Sequence, residues 1–445
     1  MCQPRSSALP CIGLPGCDGR MAVTASCVDR SGVASPLRLR GFRWLFVGRV
    51  LSSFGDSLVP LTVAFTALEL TGSAVGLGGV LLANRLPVVV ATLAGGVLGD
   101  VFDRRWVMVA ADVWRMASQA VCGVLLLAGQ LPLWALIVLQ SCAGVGTAVF
   151  TPAATGLLPA LVPENLLRQA NALLGLAANV NKVAAISVAG LLVAGLGSGW
   201  ALLADAATFA AGALSLLLIG PVTTPAGKRE RRGVLAEMWG GWRHVATTPW
   251  LRALLGYTAL LQALVIGPHM LLGPLLARQH YHGAASWAVI GAVQAIGSIA
   301  GSALALRLRP SRPLVAAVAA SLLMLPYLAL FAAAAPLWLV SLAALGFGLQ
   351  GSYYLATQAW LLQRHVPDQQ LARVASCFQL GNLVLVPLSL AAAGPLAEHV
   401  DARLLLAAAA VWALASTLVA LAAPTIRAHP EAVQPGSGAM STKRL

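Results

Sequence analysis

Long apolar runs dominate the chain and restrict its fold more than any other feature. Twelve stretches are almost free of charged side chains, and each has the roughly 20 residues that a helix needs to cross a bilayer. The first runs over Trp44–Leu70 and the last over Leu404–Ala423. Because a backbone inside lipid must satisfy its own hydrogen bonds, this pattern predicts an all-α polytopic membrane protein with twelve transmembrane helices.

The composition excludes a soluble domain. Apolar residues make up 58% of the chain and charged residues 10%, whereas soluble domains carry about 45–50% and about 25%. The seven cysteines include no pair with C-x-x-C spacing, and the outer-loop residues His280 and His282 lack a third ligand nearby. The sequence therefore predicts no metal site, no disulfide framework and no cofactor.

Positive charge alternates from one connection to the next. The connections after odd-numbered helices hold only Arg278 and Arg403, whereas the tails and the other connections hold nearly all the rest of the 29 Lys and Arg residues. By the positive-inside rule both termini are predicted to be cytoplasmic, and twelve crossings would return the chain to the side on which it starts. The net charge of +14 is thus attributed to cytoplasmic residues that flank the membrane helices, and not to binding of nucleic acid. Abundant Arg and Ala are typical of a high-GC genome, so we expect a bacterial plasma membrane.

Short matches recur at a fixed distance along the chain. The tripeptide PLW at 132 recurs at 336, and VPE at 162 is matched by VPD at 366. Gly144 and Gly190 recur as Gly348 and Gly394, and in each case the distance is 204 positions. A constant offset predicts two pseudo-symmetric six-helix bundles, as in rocker-type transporters. The predicted segments are a disordered cytoplasmic tail (1–43), a first bundle (44–220), a cytoplasmic linker (221–250), a second bundle (251–423) and a disordered cytoplasmic tail (424–445).

The connection between the second and third apolar runs is unusually charged, reading GVLGDVFDRR over residues 96–105. Gly96 permits close helix packing. Asp100 can face another helix's N-terminus, where free N–H groups favour a carboxylate. The segment is therefore predicted to gate a two-state transition. Alternatively, its charges only cap helices and anchor the topology.

These residues resemble the G-x-L-A-D-R-x-G/D-R-R/K pattern of the major facilitator superfamily. Over roughly residues 45–420 the chain is similar to the bacterial drug and siderophore exporters of that superfamily, the branch of the enterobactin exporter and the macrolide efflux pumps. The resemblance implies that the gate ties the two halves together on the cytoplasmic side through the start of helix eleven. The gating residues it implies are Gly96, Asp100, Asp103, Arg104, Arg105 and Arg373.

Ionisable residues at membrane depth are costly, and by default they indicate a functional site or a buried pair. Asp56 falls near the middle of the first helix. It is expected to carry protons or contact substrate, or else to make a structural hydrogen bond. Arg85 and Lys182 lie at similar depth. Each is expected to neutralise Asp56, attract an anionic substrate or form a structural ion pair.

Four further ionisable residues are predicted to be structural. Asp112 and Arg115 have the i,i+3 spacing of a helical ion pair, nearer the cytoplasmic end of a peripheral helix. Glu69 and Asp205 lie towards the outer ends of their helices. At that depth a side chain can reach water by snorkelling.

Uncharged polar residues supply the remaining candidates. The possible cavity residues on helices seven and ten are Gln262, His269, Tyr353, Tyr354 and Gln358. Each alone is more often a satisfied interhelical hydrogen bond. The sequence contains no Walker-type phosphate loop, so an ATP-driven pump is not expected.

These features predict a monomeric secondary transporter that exports an amphipathic organic compound, such as a drug or siderophore, by alternating access. Its expected partners are a small-molecule substrate, protons and the lipid bilayer, with Asp56 as the favoured proton carrier. An importer or facilitator of the same fold is the alternative, because the topology does not determine the direction of transport. A membrane enzyme would need a convergent cluster of catalytic residues, which the scattered histidines do not provide, and a scaffold or sensor would show no flux.

Overall fold

The computed structural model describes residues 35–101, 103–220, 242–308 and 310–427. For residues 90–101, three residues in α5 and six in α11, it describes the backbone alone. The predicted tails and linker lie outside these ranges except at their edges. There, residues 242–247 are helical, and a short helix covers Pro424–Arg427.

Twelve membrane-length helices follow one another along the described chain. They are α1 (Arg40–Thr71), α2 (Ala74–Val101), α3 (Arg104–Leu127), α4 (Leu133–Leu161), α5 (Glu164–Leu196), α6 (Ser198–Leu217), α7 (Pro249–His280), α8 (Ala284–Arg307), α9 (Pro313–Ala332), α10 (Leu337–His365), α11 (Asp368–His399) and α12 (Ala402–Ala422). Eleven have described segments long and apolar enough to cross a membrane, and Ala74–Val89 of α2 is apolar but shorter. The predicted fold class is confirmed. The first helix begins four residues before the predicted Trp44.

Two helices change their winding near prolines. A π-helical turn, Gln262–Ile266, precedes Pro268 in α7, and a 3₁₀ turn, Ser321–Met324, precedes Pro326 in α9. Proline removes one backbone donor and clashes with the carbonyl four residues earlier. A local change of helix type relieves that clash, which is how such helices stay continuous across a membrane.

The helices pack in the same order in both halves. Helix α2 packs on α4, α3 on α6, and α1 on α5 and α6; likewise α8 packs on α10, α9 on α12, and α7 on α11 and α12. Gly144 lets α4 approach the backbone of α2, and Gly348 lets α10 approach the backbone of α8. The offset between helix starts is 204 positions for α4–α6, as predicted, but 209 or 210 for α1–α3. The repeat therefore spans all six helices of each half.

The two halves meet towards one side of the membrane. The side at which α1 begins and α12 ends, predicted to be cytoplasmic, is called the terminal side below, and the other is the opposite side. Near the opposite side, Gly78 of α2 faces Gly394 of α11, Gly190 of α5 packs on Ala288 of α8, and Arg278 donates to the carbonyl of Leu68. Among the described residues α4 and α10 share no extensive contact, and neither do α5 and α11. The structure is therefore closed on the opposite side.

Candidate functional site

A buried arginine joins α3 to α1 inside the first half. Arg115 of α3 donates from Nη1 to both carboxylate oxygens of Asp56 on α1, at 2.9 and 3.1 Å. Its Nη2 donates to Oδ1 of Asp112, one helical turn earlier. The second oxygen of Asp112 accepts a hydrogen bond from Ser52 at 2.8 Å. One guanidinium thus holds two carboxylates inside a membrane-spanning bundle.

Aromatic rings enclose this guanidinium. The ring centroids of Phe150 on α4 and Phe209 on α6 lie 4.5 and 4.3 Å from its central carbon, within the range of cation–π attraction. Gly146 of α4 leaves room for the Arg115 stem, because a β-carbon there would stand 2.6 Å from Cγ. Only 1% of the Arg115 side chain is exposed. In this conformation the two rings hold the guanidinium between α4 and α6.

Asp56 is the accessible member of the cluster, with 38% of its side chain exposed. It opens into a pocket of about 170 Å³ between α1, α2, α3, α4 and α6. Drug-sized ligands occupy pockets of roughly 300–1,000 Å³, so this pocket suits water, an ion or one group of a larger molecule. Its lining residues are Asp56, Val59, Pro60, Asn84, Arg85, Val88, Arg115, Gln119, Ala143, Thr147 and Phe209.

Of the two cations predicted to neutralise Asp56, one lines its pocket and the other does not. Arg85 lines the same pocket as Asp56, whereas Lys182 is exposed on α5. The partner is Arg115, which sequence reasoning assigned to a structural pair. The signal that favours Arg115 as the partner of Asp56 is its depth in the membrane. Arg115 lies eleven residues into α3, and a rise of 1.5 Å per residue places it about 16 Å into the membrane.

Asp205 of α6 also differs from its prediction. It was expected to reach water by snorkelling, but it is fully buried, and neither carboxylate oxygen has a hydrogen-bond partner among the described residues. The tight packing of α6 on α1 excludes water there. Glu69 behaves as expected: it is exposed and accepts a hydrogen bond from Ser198 at 2.7 Å.

The charged connection before α3 anchors that helix within the first half. Asp103 caps α3 by accepting from the backbone N–H of Arg105 at 2.9 Å. Arg104 donates to the carbonyl of Gly156 on α4 at 2.5 Å. Arg105 donates to the carbonyls of Leu216 and Leu217, at 3.0 and 2.7 Å. A cation at the C-terminal end of α6 complements that helix's dipole.

The predicted link from this connection to the second half is not described. For Gly96 and Asp100 the structure describes the backbone alone, and Arg373 is half-buried near the start of α11. Their gating role stays a prediction.

Four of the five predicted cavity residues are buried within the second half. His269 contacts the hydroxyl of Tyr327 through Nε2 at 2.8 Å, among aromatic rings. The hydroxyls of Tyr354 and Thr258 lie 2.6 Å apart. Gln358 donates weakly to Thr258 at 3.4 Å. Tyr353 is also buried, and Gln262, in the π-helical turn, is half-buried.

A polar face on α5 indicates where the two halves separate. Asn179 and Lys182 are exposed, and one turn further along the helix Ile186 packs on Gly291 of α8. They therefore point towards the second half. An exposed lysine in the middle of a membrane-spanning helix is costly in lipid, and this face favours a water-filled space between the halves.

The α4 helix contributes a second polar face. Thr151 and Thr155, one and two turns after the pocket residue Thr147, are exposed. Each hydroxyl is satisfied by the carbonyl four residues earlier in its own helix. The polar surface thus continues from the pocket towards the terminal side.

Comparisons with known proteins agree with this architecture. The chain matches the family model described as transmembrane secretion effector over residues 31–439. It is 32% identical to macrolide efflux protein A of Streptococcus pyogenes over 126 residues, which are 28% of this chain and 31% of that protein. It is 28% identical to the enterobactin exporter EntS of Shigella boydii serotype 18 over 359 residues, 77% of this chain and 82% of that protein.

Solved structures share the fold at low sequence identity. The nucleoside transporter NupG matches with a TM-score of 0.68 at 13% identity, over 86% of this chain and 98% of its own. A bacterial homologue of the iron transporter ferroportin, solved in an inward-facing state, matches with a TM-score of 0.63 at 18% identity, over 86% and 99%. With a family model matched over nearly its whole length, the chain belongs to the transmembrane secretion effector family of the major facilitator superfamily, a family of transporters and not of enzymes.

Proposed function

We propose that this protein exports an amphipathic organic compound across the bacterial plasma membrane by alternating access, in exchange for protons. The observation that carries the proposal is Asp56, a partly exposed carboxylate paired with a buried guanidinium within the membrane. An ionisable group at that depth is retained at a free-energy cost, which indicates a role in transport. The names of the relatives, a macrolide efflux protein and an enterobactin exporter, favour export of a bulky amphipathic molecule.

The ion pair provides a way to link protonation to conformation. In the structure Asp56 is positioned as an ionised carboxylate, because both oxygens accept from Arg115. A proton arriving on Asp56 removes its charge and weakens that pair, which frees α1 to move relative to α3. Release of the proton restores the pair and the conformation closed on the opposite side. Such a two-state contact is what alternating access needs.

The connection before α3 is proposed as the gate. Arg104 and Arg105 bind carbonyls of α4 and α6, so they make the terminal end of the first half one rigid unit. Asp100 is then proposed to meet the start of α11, near Arg373, when the terminal side closes. Gly96 would permit the close approach of the helices that this contact requires.

The substrate is proposed to bind in the space between the halves and not in the pocket at Asp56. That pocket, at about 170 Å³, is too small for a macrolide-sized molecule. Lys182 is proposed to attract an anionic substituent of the substrate. Cytoplasmic termini are part of the proposal. A monomeric state is also part of it, since one chain supplies both halves.

The experiment measures accumulation of ethidium, a labelled macrolide and labelled enterobactin in pump-deficient bacteria that express this protein. We expect lower accumulation of at least one compound than in cells without the protein, rising to the control level when a protonophore collapses the gradient. Asp56→Asn is expected to abolish this effect. Asp401→Asn is the matched control, because Asp401 is an exposed cap of α12.

Three outcomes separate the parts of the proposal. Accumulation equal to empty-vector cells, with the protein present in the membrane, would refute export of these compounds. Export that ignores the protonophore would refute proton exchange. Full proton-dependent export by Asp56→Asn would remove Asp56 from the mechanism.

A further inference from the structure

The Asp205 carboxyl lies sealed between α6 and α1. A β-carbon built on Gly55 would stand 2.6 Å from its Oδ1, so the residue before Asp56 leaves room for this carboxyl. The neighbouring hydroxyl of Thr208 donates to the backbone carbonyl of Asp205 at 2.7 Å and not to its side chain. Neither side-chain oxygen has a described partner. The carboxyl is therefore held close to the Asp56 ion pair without being part of it.

The charges around Asp205 do not balance if every carboxyl is ionised. Near the middle of the helices packed on α6, the described charged groups are Asp56 on α1, Asp112 and Arg115 on α3, and the exposed Lys182 on α5. The other described charged groups on α1 and α3 lie nearer the helix ends: Arg40, Arg43, Arg49, Glu69, Arg104 and Arg105. Both Nη atoms of Arg115 are already bound, to Asp56 and Asp112. A third buried carboxylate would have no counter-charge of its own, which is strongly unfavourable. The carboxyl without a partner is thus the one that holds a proton.

One donor in the cluster also lacks a partner. The Nε–H of Arg115 is buried and unbonded among the described residues. A buried donor and a buried acceptor left unpaired in one cluster are both costly, and a shift of the guanidinium between Phe150 and Phe209 would allow them to pair. The cluster therefore offers two arrangements, one with Arg115 on Asp56 and one with Arg115 on Asp205.

We propose that Asp205 is a second proton-binding residue, protonated in this conformation, which exchanges its proton with Asp56 as Arg115 turns from Asp56 to Asp205. The proton moves from a carboxyl oxygen of Asp205 to one of Asp56, and the guanidinium moves the opposite way. The total charge of the cluster is unchanged throughout. Asp56 is the member that meets water, and Asp205 keeps the proton away from it. This inference rests on the proposed proton exchange.

Infrared spectroscopy of the purified protein in liposomes tests the protonation state without a substrate. The C=O stretching band of a protonated carboxylic acid is expected at neutral pH in the wild-type protein and lost in Asp205→Asn. The control Glu69→Gln, which changes an exposed carboxylate outside the cluster, is expected to keep the band. A wild-type spectrum with no band sensitive to Asp205→Asn would overturn the proposal.

Transport supplies the second readout. In the accumulation assay, Asp205→Asn is expected to lose proton-dependent efflux of the compound that the wild-type protein exports, and Glu69→Gln to retain it. If the wild-type protein shows proton-dependent efflux and Asp205→Asn equals it, this inference fails and the proposed function stands. If the wild-type protein shows none, the proposed function fails, and the infrared band still decides the charge state.

A different variant covers the case in which Asp205→Asn does not reach the membrane. Asp205→Glu keeps the acid but changes its environment, so a band due to residue 205 is expected to shift in frequency. An unshifted band would exclude Asp205 as its source and overturn the proposal.

Discussion

Replacing Arg115 by methionine removes the charge that compensates two carboxylates and leaves the stem volume largely filled. Met324, at the corresponding position of α9 by the 209-residue offset, is buried in the second half, so methionine is compatible with this packing. The variant leaves Asp112 fully buried with Ser52 as its remaining donor. Asp56, by contrast, can be hydrated from its pocket.

Removing one partner of a buried ion pair costs about 3–5 kcal/mol. Because the uncompensated charge that stays buried belongs to Asp112 alone, we expect the lower end, about 3 kcal/mol, in the free energy of unfolding. Adding Asp112→Ser, the residue type found at the corresponding Ser321, removes that buried charge. The double variant is therefore expected to be more stable than Arg115→Met by about 1–3 kcal/mol.

Denaturant titration of the detergent-purified protein, followed by tryptophan fluorescence, measures both differences. Arg85→Met is the matched control, since Arg85 is exposed to the pocket, and its effect is expected to stay within about 0.5 kcal/mol. The reasoning is refuted if Arg115→Met changes the free energy of unfolding no more than Arg85→Met does. It is equally refuted if Asp112→Ser adds further destabilisation instead of restoring stability.

Two further predictions concern how the halves close and pack. Arg278→Ala removes a charged hydrogen bond to the carbonyl of Leu68, which contributes about 1.5–3 kcal/mol. The variant should therefore favour opening of the opposite side, measured as faster maleimide labelling of a cysteine placed at Ala288. Unchanged labelling would contradict this prediction. Gly348→Leu puts a side chain into the backbone of α8, and should lower the free energy of unfolding by about 1–3 kcal/mol. Gly351→Ala, in open space three residues later, should change it by no more than about 1 kcal/mol, and equal effects of the two would refute the packing argument.

The helices and their repeat were predictable from the sequence because the bilayer leaves few alternatives. Every backbone group in lipid must be bonded within its helix, so apolar run length alone locates the crossings to within a few residues. Gly144 and Gly348 recur because both bundles need the same close helix contact. The different offset for α1–α3 could not be predicted from these matches, because all four lie in α4, α5 and the residues that flank them, and at the equivalent places in the second half.

The composition of the site was less predictable, because it depends on the rotation of each helix. Asp56 was predicted as a candidate site residue from its depth alone. Its partner was not, since Lys182 and Arg115 both lie at membrane depth, and only the packing decides which faces α1. Asp205 was assigned to the outer end of α6 by counting residues, whereas its burial follows from the absence of a side chain at Gly55 on the facing helix. Burial of this kind depends on how two helices pack together and cannot be predicted from either helix alone.

The internal repeat offers an argument that the charged cluster serves transport and not folding. By the same helix offsets, Asp56, Asp112, Arg115 and Asp205 correspond to Val265, Ser321, Met324 and Ala409. All four of these second-half residues are buried, and their helices pack in the same order as those of the first half. The fold therefore forms this bundle without any charge at these positions. A bundle that keeps three carboxyls and a guanidinium there does so at a cost in stability, and proton exchange is the function that would require them.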